Sequence, residues 1–379
     1  MAVVTSVSGQ HTSADDMRQV LTPDGEVRDD ATVPDLPDET LVAMYEQMRL
    51  SRHFDERMIS LQRQGRMGTY PSLAGQEGAQ IGTTHALEER DWLLYQYREH
   101  GAIAVRGFAP EYLRYWMGDE RGNEWLPERN VFPVNISIAS HIPHATGMAW
   151  ASKLQGEDTV FACHFGDGAT SEGDFHEGLN FAGVFDVPAI FVCNNNQWAI
   201  SVPQERQTAS ATFAQKADAY GVEGVRVDGM DPLACYQVMK EAADRARDPD
   251  EDESRVTLLE TVTYRFGAHT TADDPGVYRD EEEVEQWRER DPIPRMETFL
   301  RDRGLLDDDA IEAMEERNAD LVAGLIDEAE AMETDPDDMW RFAYAEQTPR
   351  IKEQQAYMQR LREKHGDEAL LEEDMQDED

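Results

Sequence analysis

Apolar residues recur along this chain with two different periods. After a polar stretch over residues 1–36, Leu41, Met44, Tyr45 and Met48, then Phe54, Met58 and Leu61, return every three or four positions. That is the spacing of a helix with one buried face. Residues 65–82 are rich in glycine and hold YPSLAGQEGAQ, a loop running into a second helix. The middle of the chain differs. A continuous apolar run over 159–165 ends at Gly166-Asp167-Gly168, a helical stretch follows over 174–182, and a second run over 187–193 ends at Asn194-Asn195-Asn196. Short run, turn, helix, turn, short run predicts a βαβ unit. Two more strands are expected over 224–227 and 256–263, with a helix over 233–247 between them. Strands that are apolar throughout suit a sheet covered on both faces. Beyond about residue 291 the pattern turns helical and acidic. Ile311, Met314, Leu321 and Leu325 mark one stripe, which Asp307, Asp308 and Asp309 are suited to start. The expectation is an α/β fold, a mostly parallel sheet with helices on both faces plus a C-terminal helical segment. Its divisions would be an extended acidic arm over 1–36, a main domain over 37–290 and a helical segment with an acidic tail over 291–379.

Composition changes this picture in one respect. The 379 residues are 40% hydrophobic and can bury a core, yet the formal net charge is −43. So acidic a surface argues against nucleic acid as a partner, because phosphate binding runs on clustered basic side chains. Of the 35 basic residues only five are lysine (Lys153, Lys216, Lys240, Lys352 and Lys364). Abundant carboxylates with scarce lysine are expected of a halophilic protein, since at about 1 M salt the Debye length falls to about 3 Å and such a surface no longer repels itself. No apolar run approaches a membrane span, and residues 1–19 lack the basic start and apolar centre of a signal peptide. A soluble, cytoplasmic protein with no membrane partner is the expectation. Cys163, Cys193 and Cys235 form no CxxC pair, and reduced structural thiols are expected.

The candidate chemistry lies at the ends of the two central strands. Parallel strands place their carboxyl ends on one edge of the sheet, so Asp167 and Asn196 would emerge side by side. A carboxylate, a carboxamide and a main-chain carbonyl are hard oxygen donors that, with phosphate oxygens and water, make a magnesium site. Gly166 and Gly168 let the backbone come close, and the helix after GATSEG offers N–H groups to a phosphate. Taken singly, Asp-Gly and Asn-Asn are ordinary turn dipeptides. Neither GxGxxG nor GxxxxGK[ST] occurs, which disfavours a dinucleotide oxidoreductase and a P-loop protein.

GDG followed after about 26 residues by NN resembles the thiamine diphosphate motif. The text GDGATSEGDFHEGLNFAGVFDVPAIFVCNNNQWAIS is similar to the α subunit of the E1 component of 2-oxo acid dehydrogenase complexes. That likeness extends through YPSLAGQEGAQIG, QYREHG, HIPHATG, VRVDGMD and TYRFGAHTTADDPGVYR, roughly residues 37–300. The resemblance implies thiamine diphosphate and Mg2+ as cofactors, with Asp167, Asn196 and the carbonyl of Trp198 on the metal. The family usually has Tyr where Trp198 stands, which a main-chain ligand tolerates. Gly168 and Ala169 would contact the diphosphate through the backbone, and Tyr97 and Arg98 would grip it. Ile138 would sit under the thiazolium and Ile200 would meet the aminopyrimidine. His269 would contact the diphosphate and face the catalytic channel, with Tyr264, Arg265 and Asp273 ordering its loop. The serine phosphorylated in animal members is Thr270 here, so kinase regulation is not carried over. The activity implied is oxidative decarboxylation of a 2-oxo acid with acyl transfer to the lipoyl group of E2. An E1 β subunit would complete an α2β2 tetramer and supply the glutamate that activates the cofactor. The motifs favour pyruvate as substrate, with branched-chain 2-oxo acids as the alternative and a non-catalytic assembly or regulatory subunit as a third reading.

Overall fold

The computed structural model of the chain describes residues 17–333, 335–341 and 343–367. Among them, β1 (Trp92–Leu94), β2 (Phe161–Gly166), β3 (Ala189–Asn195), β6 (Glu223–Asp228) and β7 (Thr257–Val262) form one sheet, ordered β1-β2-β3-β7-β6. Every pairing within it is parallel. β4 (Trp198–Ala199) and β5 (Val202–Pro203) make a separate antiparallel ribbon. The predicted βαβ unit is β2, α6 (Gly173–Phe185) and β3, and the two later strands and the helix between them are also present.

Alternate residues of the central strands go to opposite faces, as the pleat requires. Phe161, Cys163 and Phe165 of β2 and Ala189, Phe191 and Cys193 of β3 are buried with α5 (His141–Gln155) and α6. Ala162, Ile190, Val192 and Leu259 are buried in the other cluster. That layer is built by α1 (Asp38–Arg63), α2 (Glu77–His85), α3 (His100–Arg106), α4 (Pro110–Trp116), α8 (Pro232–Arg247), α10 (Pro292–Asp302) and α11 (Asp308–Ala331). With both faces covered, the strands read as continuous apolar runs rather than alternating ones. All three cysteines are buried and free.

The first compact unit runs past the expected boundary at 290, to Ala329. Met296, Phe299 and Leu300 of α10 and Met314, Val322 and Leu325 of α11 are buried in the same cluster as α1, so the core does not end at 290. Leu321 is 45% exposed, and the buried stripe of α11 follows Met314, Val322, Leu325 and Ile326 instead. The described part of the N-terminal arm is bound to the edge strand and then turns back on itself, with Leu21 bridged antiparallel to Val27. Arg18 N–H donates to the Arg226 carbonyl at 2.9 Å, and Asp228 N–H donates to the Arg18 carbonyl at 3.0 Å. Asp231 explains the docking. One of its oxygens caps α8 through Leu233 and Ala234 N–H, while the other accepts from Val20 and Leu21 N–H at 2.7 and 2.6 Å. The buried Arg295 guanidinium pairs with Asp228 at 2.9 Å and offsets the charge. The second unit, from Glu330 onward, holds α12 (Asp338–Arg341) and α13 (Pro349–His365), the latter capped by Thr348. The acidic tail beyond 367 and residues 1–16 lie outside the described residues. No helix among the described residues is long and apolar enough to cross a membrane.

Candidate functional site

Four adjacent strands deliver their carboxyl ends to one cavity of about 260 Å3. Gln96, Tyr97 and Arg98 follow β1, Asp167, Gly168 and Ala169 follow β2, Asn196, Trp198 and Ile200 follow β3, and His269 lies in the loop after β7. Ile138, in the loop before α5, completes the lining among the residues singled out from the sequence. All ten of those residues therefore meet in one place, though they span 173 positions of the chain, from 97 to 269.

Asp167 is 1% exposed and opens a 3-10 turn, Asp167–Ser171, that leads into α6. Burial pushes its carboxyl up to about 6, against hydrogen bonding that favours the anion. The Gln207 amide, at the end of α7 (Gln204–Gln207), donates to Asp167 Oδ2 at 2.6 Å. In-register pairing of Gly166 with Asn194 sets the next loop beside this turn. The buried Asn196 accepts from Trp198 N–H at 3.2 Å and donates to Gln76 Oε1 at 3.3 Å. A Cβ at Gly168 would lie 2.9 Å from the Ala199 Cβ, so the two loops approach closely only because that residue is glycine. A Cβ at Gly166 would meet nothing within 4 Å; that residue borders the cavity.

The loop after β3 is strained. Gln197 and the β-branched Ile200 both take positive φ, 73° and 56°. Conformations of this kind cost on the order of 1–3 kcal/mol each and persist where the surroundings over-determine them. Here the constraint is Arg265, a fully buried guanidinium that donates to the Ile200 carbonyl at 2.8 Å, to the Trp198 carbonyl at 3.3 Å and to the Tyr278 hydroxyl at 2.8 Å. The Trp198 carbonyl keeps a second lone pair for another partner. Tyr278 in turn donates to Asp273, whose Oδ2 also accepts the His269 N–H at 2.7 Å. Arg265 thus ties the β3 loop to the His269 loop, ahead of α9 (Glu281–Arg288).

His269 and Arg98 form a unit. Arg98 donates from Nη2 to His269 Nδ1 at 3.0 Å and to the His269 carbonyl at 2.9 Å, and from Nη1 to the Ser72 carbonyl. Arginine only donates, so Nδ1 is an acceptor and the ring hydrogen of neutral His269 sits on Nε2. Burial, followed by the charges of Arg98 and Arg265, pushes the imidazole down to about 3. The ring is neutral at physiological pH. The Tyr97 ring stands edge-on to it, 6.3 Å between centroids.

Electrostatics state what the cavity lacks. Arg98 and Arg265 are both buried, and neither has a carboxylate within ion-pair distance among the described residues. Burial and the neighbouring Arg98 push Arg265 down to about 10. The buried Glu99, also in the cavity wall, couples to Arg98, and Asp273 couples to Arg265, so compensation reaches both only from beyond ion-pair distance. A buried cation so placed is costly, and an anion beside Arg98 would offset it further. The buried Gln96 Nε2 has no hydrogen-bond partner and borders the same space. No cluster of three or more His, Cys, Asp or Glu able to hold a metal occurs among the described residues. A divalent cation here would draw on Asp167, the Asn196 carboxamide, main-chain oxygen and the oxygens of the anion itself. Gln76, Gln96, Gln207 and Tyr278 went unnoticed in the sequence. Uncharged side chains in polar loops carry no spacing signal, although Gln76, Gln96 and Tyr278 sit inside quoted motifs.

The sequence matches the family described as Dehydrogenase E1 component over residues 45–337. It is 46% identical over 322 residues to 3-methyl-2-oxobutanoate dehydrogenase subunit alpha of Mycobacterium tuberculosis, covering 84% of this chain and 87% of that one. It is 43% identical over 313 residues to pyruvate dehydrogenase E1 component subunit alpha of Staphylococcus aureus, covering 82% and 84%.

Proposed function

Because the chain belongs to the dehydrogenase E1 component family, we propose that it is the α subunit of a 2-oxo acid dehydrogenase E1 enzyme and binds the diphosphate end of thiamine diphosphate through magnesium. The observation that carries this reading is the buried Arg98 guanidinium on the cavity wall, with no carboxylate in ion-pair distance among the described residues, beside a turn of hard oxygen donors. The residues present fit the group: Asp167, Asn196 and the Trp198 carbonyl would hold the metal, and Arg98 with the Gly168 and Ala169 backbone would hold the diphosphate. When bound, thiamine diphosphate would supply a nucleophilic carbanion and an electron sink for the electron pair that stays behind when CO2 leaves. The chain's own part is positional. Arg98 fixes His269 with Nε2–H as the free donor, and Arg265 holds the strained β3 loop against the His269 loop. Ile138 and Ile200 line the cavity yet remain 39% and 56% exposed. An apolar rim left open supports a site completed by a second chain, the E1 β subunit in an α2β2 tetramer that serves a lipoylated E2.

For the substrate we take pyruvate from the motifs. The similarity to the mycobacterial 3-methyl-2-oxobutanoate enzyme favours a branched-chain 2-oxo acid as the second reading. Selectivity between small apolar groups is worth only about 1–3 kcal/mol per methylene, so a few side chains decide it. The test is decarboxylation by this chain co-produced with its β partner, in high KCl with magnesium, thiamine diphosphate and an artificial electron acceptor. Faster turnover of pyruvate than of 3-methyl-2-oxobutanoate is expected. The reverse order selects the second reading. No turnover of any 2-oxo acid by a tetramer that binds the cofactor would instead identify a non-catalytic subunit.

A further inference from the structure

The turn that carries Asp167, Gly168 and Ala169 is held from outside the cavity by a side chain that belongs to none of the motifs. Lys216, in the 3-10 segment Ala214–Tyr220, donates from Nζ to the Thr170 hydroxyl at 3.0 Å and to the Thr170 carbonyl at 3.2 Å. Its Nζ stands 5.3 Å from the centroid of the Phe213 ring and 5.7 Å from that of Phe175. No ion pair holds it among the described residues, whereas Lys153 and Lys240 pair with Asp186 and Asp244. The segment beneath it is tied to the sheet. Ala214 N–H donates to Glu260 Oε2 at 2.9 Å, and Glu260 Oε1 accepts from the Asn195 amide at 2.7 Å, next to Asn196. One buried carboxylate on β7 thereby sets the positions of both the lysine and the asparagine loop.

A half-buried ammonium without a carboxylate partner loses hydration, and burial lowers its pKa accordingly. Two aromatic faces and one residue's oxygens offset part of that cost. A compact donor that reaches both acceptors of a single residue fixes that residue's backbone more tightly than a single hydrogen bond would. In a chain with only five lysines, this one is spent on the turn that leads away from Asp167.

We propose that Lys216 is a positioning residue for the anion-binding turn, fixing Thr170 and through it the backbone of Asp167, Gly168 and Ala169 for a magnesium-bridged diphosphate, and adding a fixed positive charge beside it. The proposal rests on the reading of that site given above. The test is calorimetric titration of thiamine diphosphate, at saturating MgCl2 and high KCl, into the assembled enzyme carrying Lys216→Met, Lys216→Arg, Thr170→Val or Asp167→Asn. Lys216→Met is expected to weaken binding about tenfold, the loss of a charge-assisted hydrogen bond. Lys216→Arg should recover part of that loss. Thr170→Val should weaken binding less, and add little on top of Lys216→Met, because the two changes break the same contact. The KM for the 2-oxo acid and the melting temperature of the cofactor-free enzyme should stay unchanged. Binding within twofold of the parent by Lys216→Met, while Asp167→Asn abolishes it, would overturn the role of the lysine alone. Equal loss in Lys216→Met and Lys216→Arg, with a lowered cofactor-free melting temperature, would reduce Lys216 to a purely structural residue and overturn it as well. Full binding by Asp167→Asn would overturn the diphosphate reading and the inference together.

Discussion

Asp167→Asn is expected to move stability in opposite directions with and without ligand. In the cofactor-free protein the Asp167 carboxylate is buried, and its pKa is raised from 3.8 to about 6. At neutral pH that shift of about two units corresponds to about 3 kcal/mol of destabilisation, at 1.36 kcal/mol per unit. The sign follows from proton counting. A carboxyl with a raised folded-state pKa holds its proton longer in the native state than in the unfolded one. Stability therefore falls as pH rises between about 3.8 and 6 and stays lowered above. An asparagine keeps the shape and, turned to present its oxygen, still accepts from Gln207, but it carries no charge to desolvate. The cofactor-free variant should gain up to about 3 kcal/mol at pH 7.5, and lose that gain near pH 4. With magnesium and thiamine diphosphate the order inverts, because only the parent is stabilised through binding, by about 4.1 kcal/mol at a thousandfold excess of ligand over Kd. The assay is denaturant unfolding in 2 M KCl at pH 7.5 and at pH 4, with and without both ligands (the salt chosen to keep the Debye length at about 3 Å or less). A cofactor-free variant less stable than the parent at pH 7.5 would refute the burial argument. An undiminished ligand-induced gain in the variant would refute the metal assignment.

Two further outcomes follow from the same geometry. The His269 imidazole should show no titration in histidine-resolved NMR between pH 5 and 8, and replacing Arg98 by Met should raise its pKa. A parent midpoint near 6.5 would contradict the Arg98 contact. The melting temperature should fall as KCl is lowered from about 3 M to 0.2 M, because a net charge of −43 loses its screening; a flat profile would reject the molar-salt reading of the composition.

Much of this site could be read from the chain because its landmarks are short runs with a fixed meaning. The apolar strands end at Gly166 and Asn195, and the residues just after them are the ones that line the cavity. Other parts left no such mark. β1 is three residues long, too short to show a period, yet it delivers Tyr97 and Arg98. Read alone, Arg98 suits a solvated helix face, but it lies just before α3, is buried, and has no carboxylate in ion-pair distance among the described residues. Leu321 fits the helical stripe by spacing and is nevertheless exposed, because the neighbours of α11 cover the side marked by Val322 and Ile326. Gln207 and Lys216 lie eleven and twenty residues beyond Asn196 in a polar stretch where no pattern distinguishes them.

By itself, then, the sequence determined the local matters: which segments are strands and helices, that the sheet is covered on both faces, and which residue types gather at the strand ends. Those follow from periodicity and turn chemistry, which act over a few residues. Tertiary structure alone decided which charges go unpaired. Arg98, Arg265 and Lys216 are ordinary basic residues until the fold buries the first two and half-buries the third, and brings no carboxylate among the described residues into ion-pair distance. Charge compensation is a sum over every neighbour in space. It cannot be computed along the chain, and here that sum leaves room for an anion.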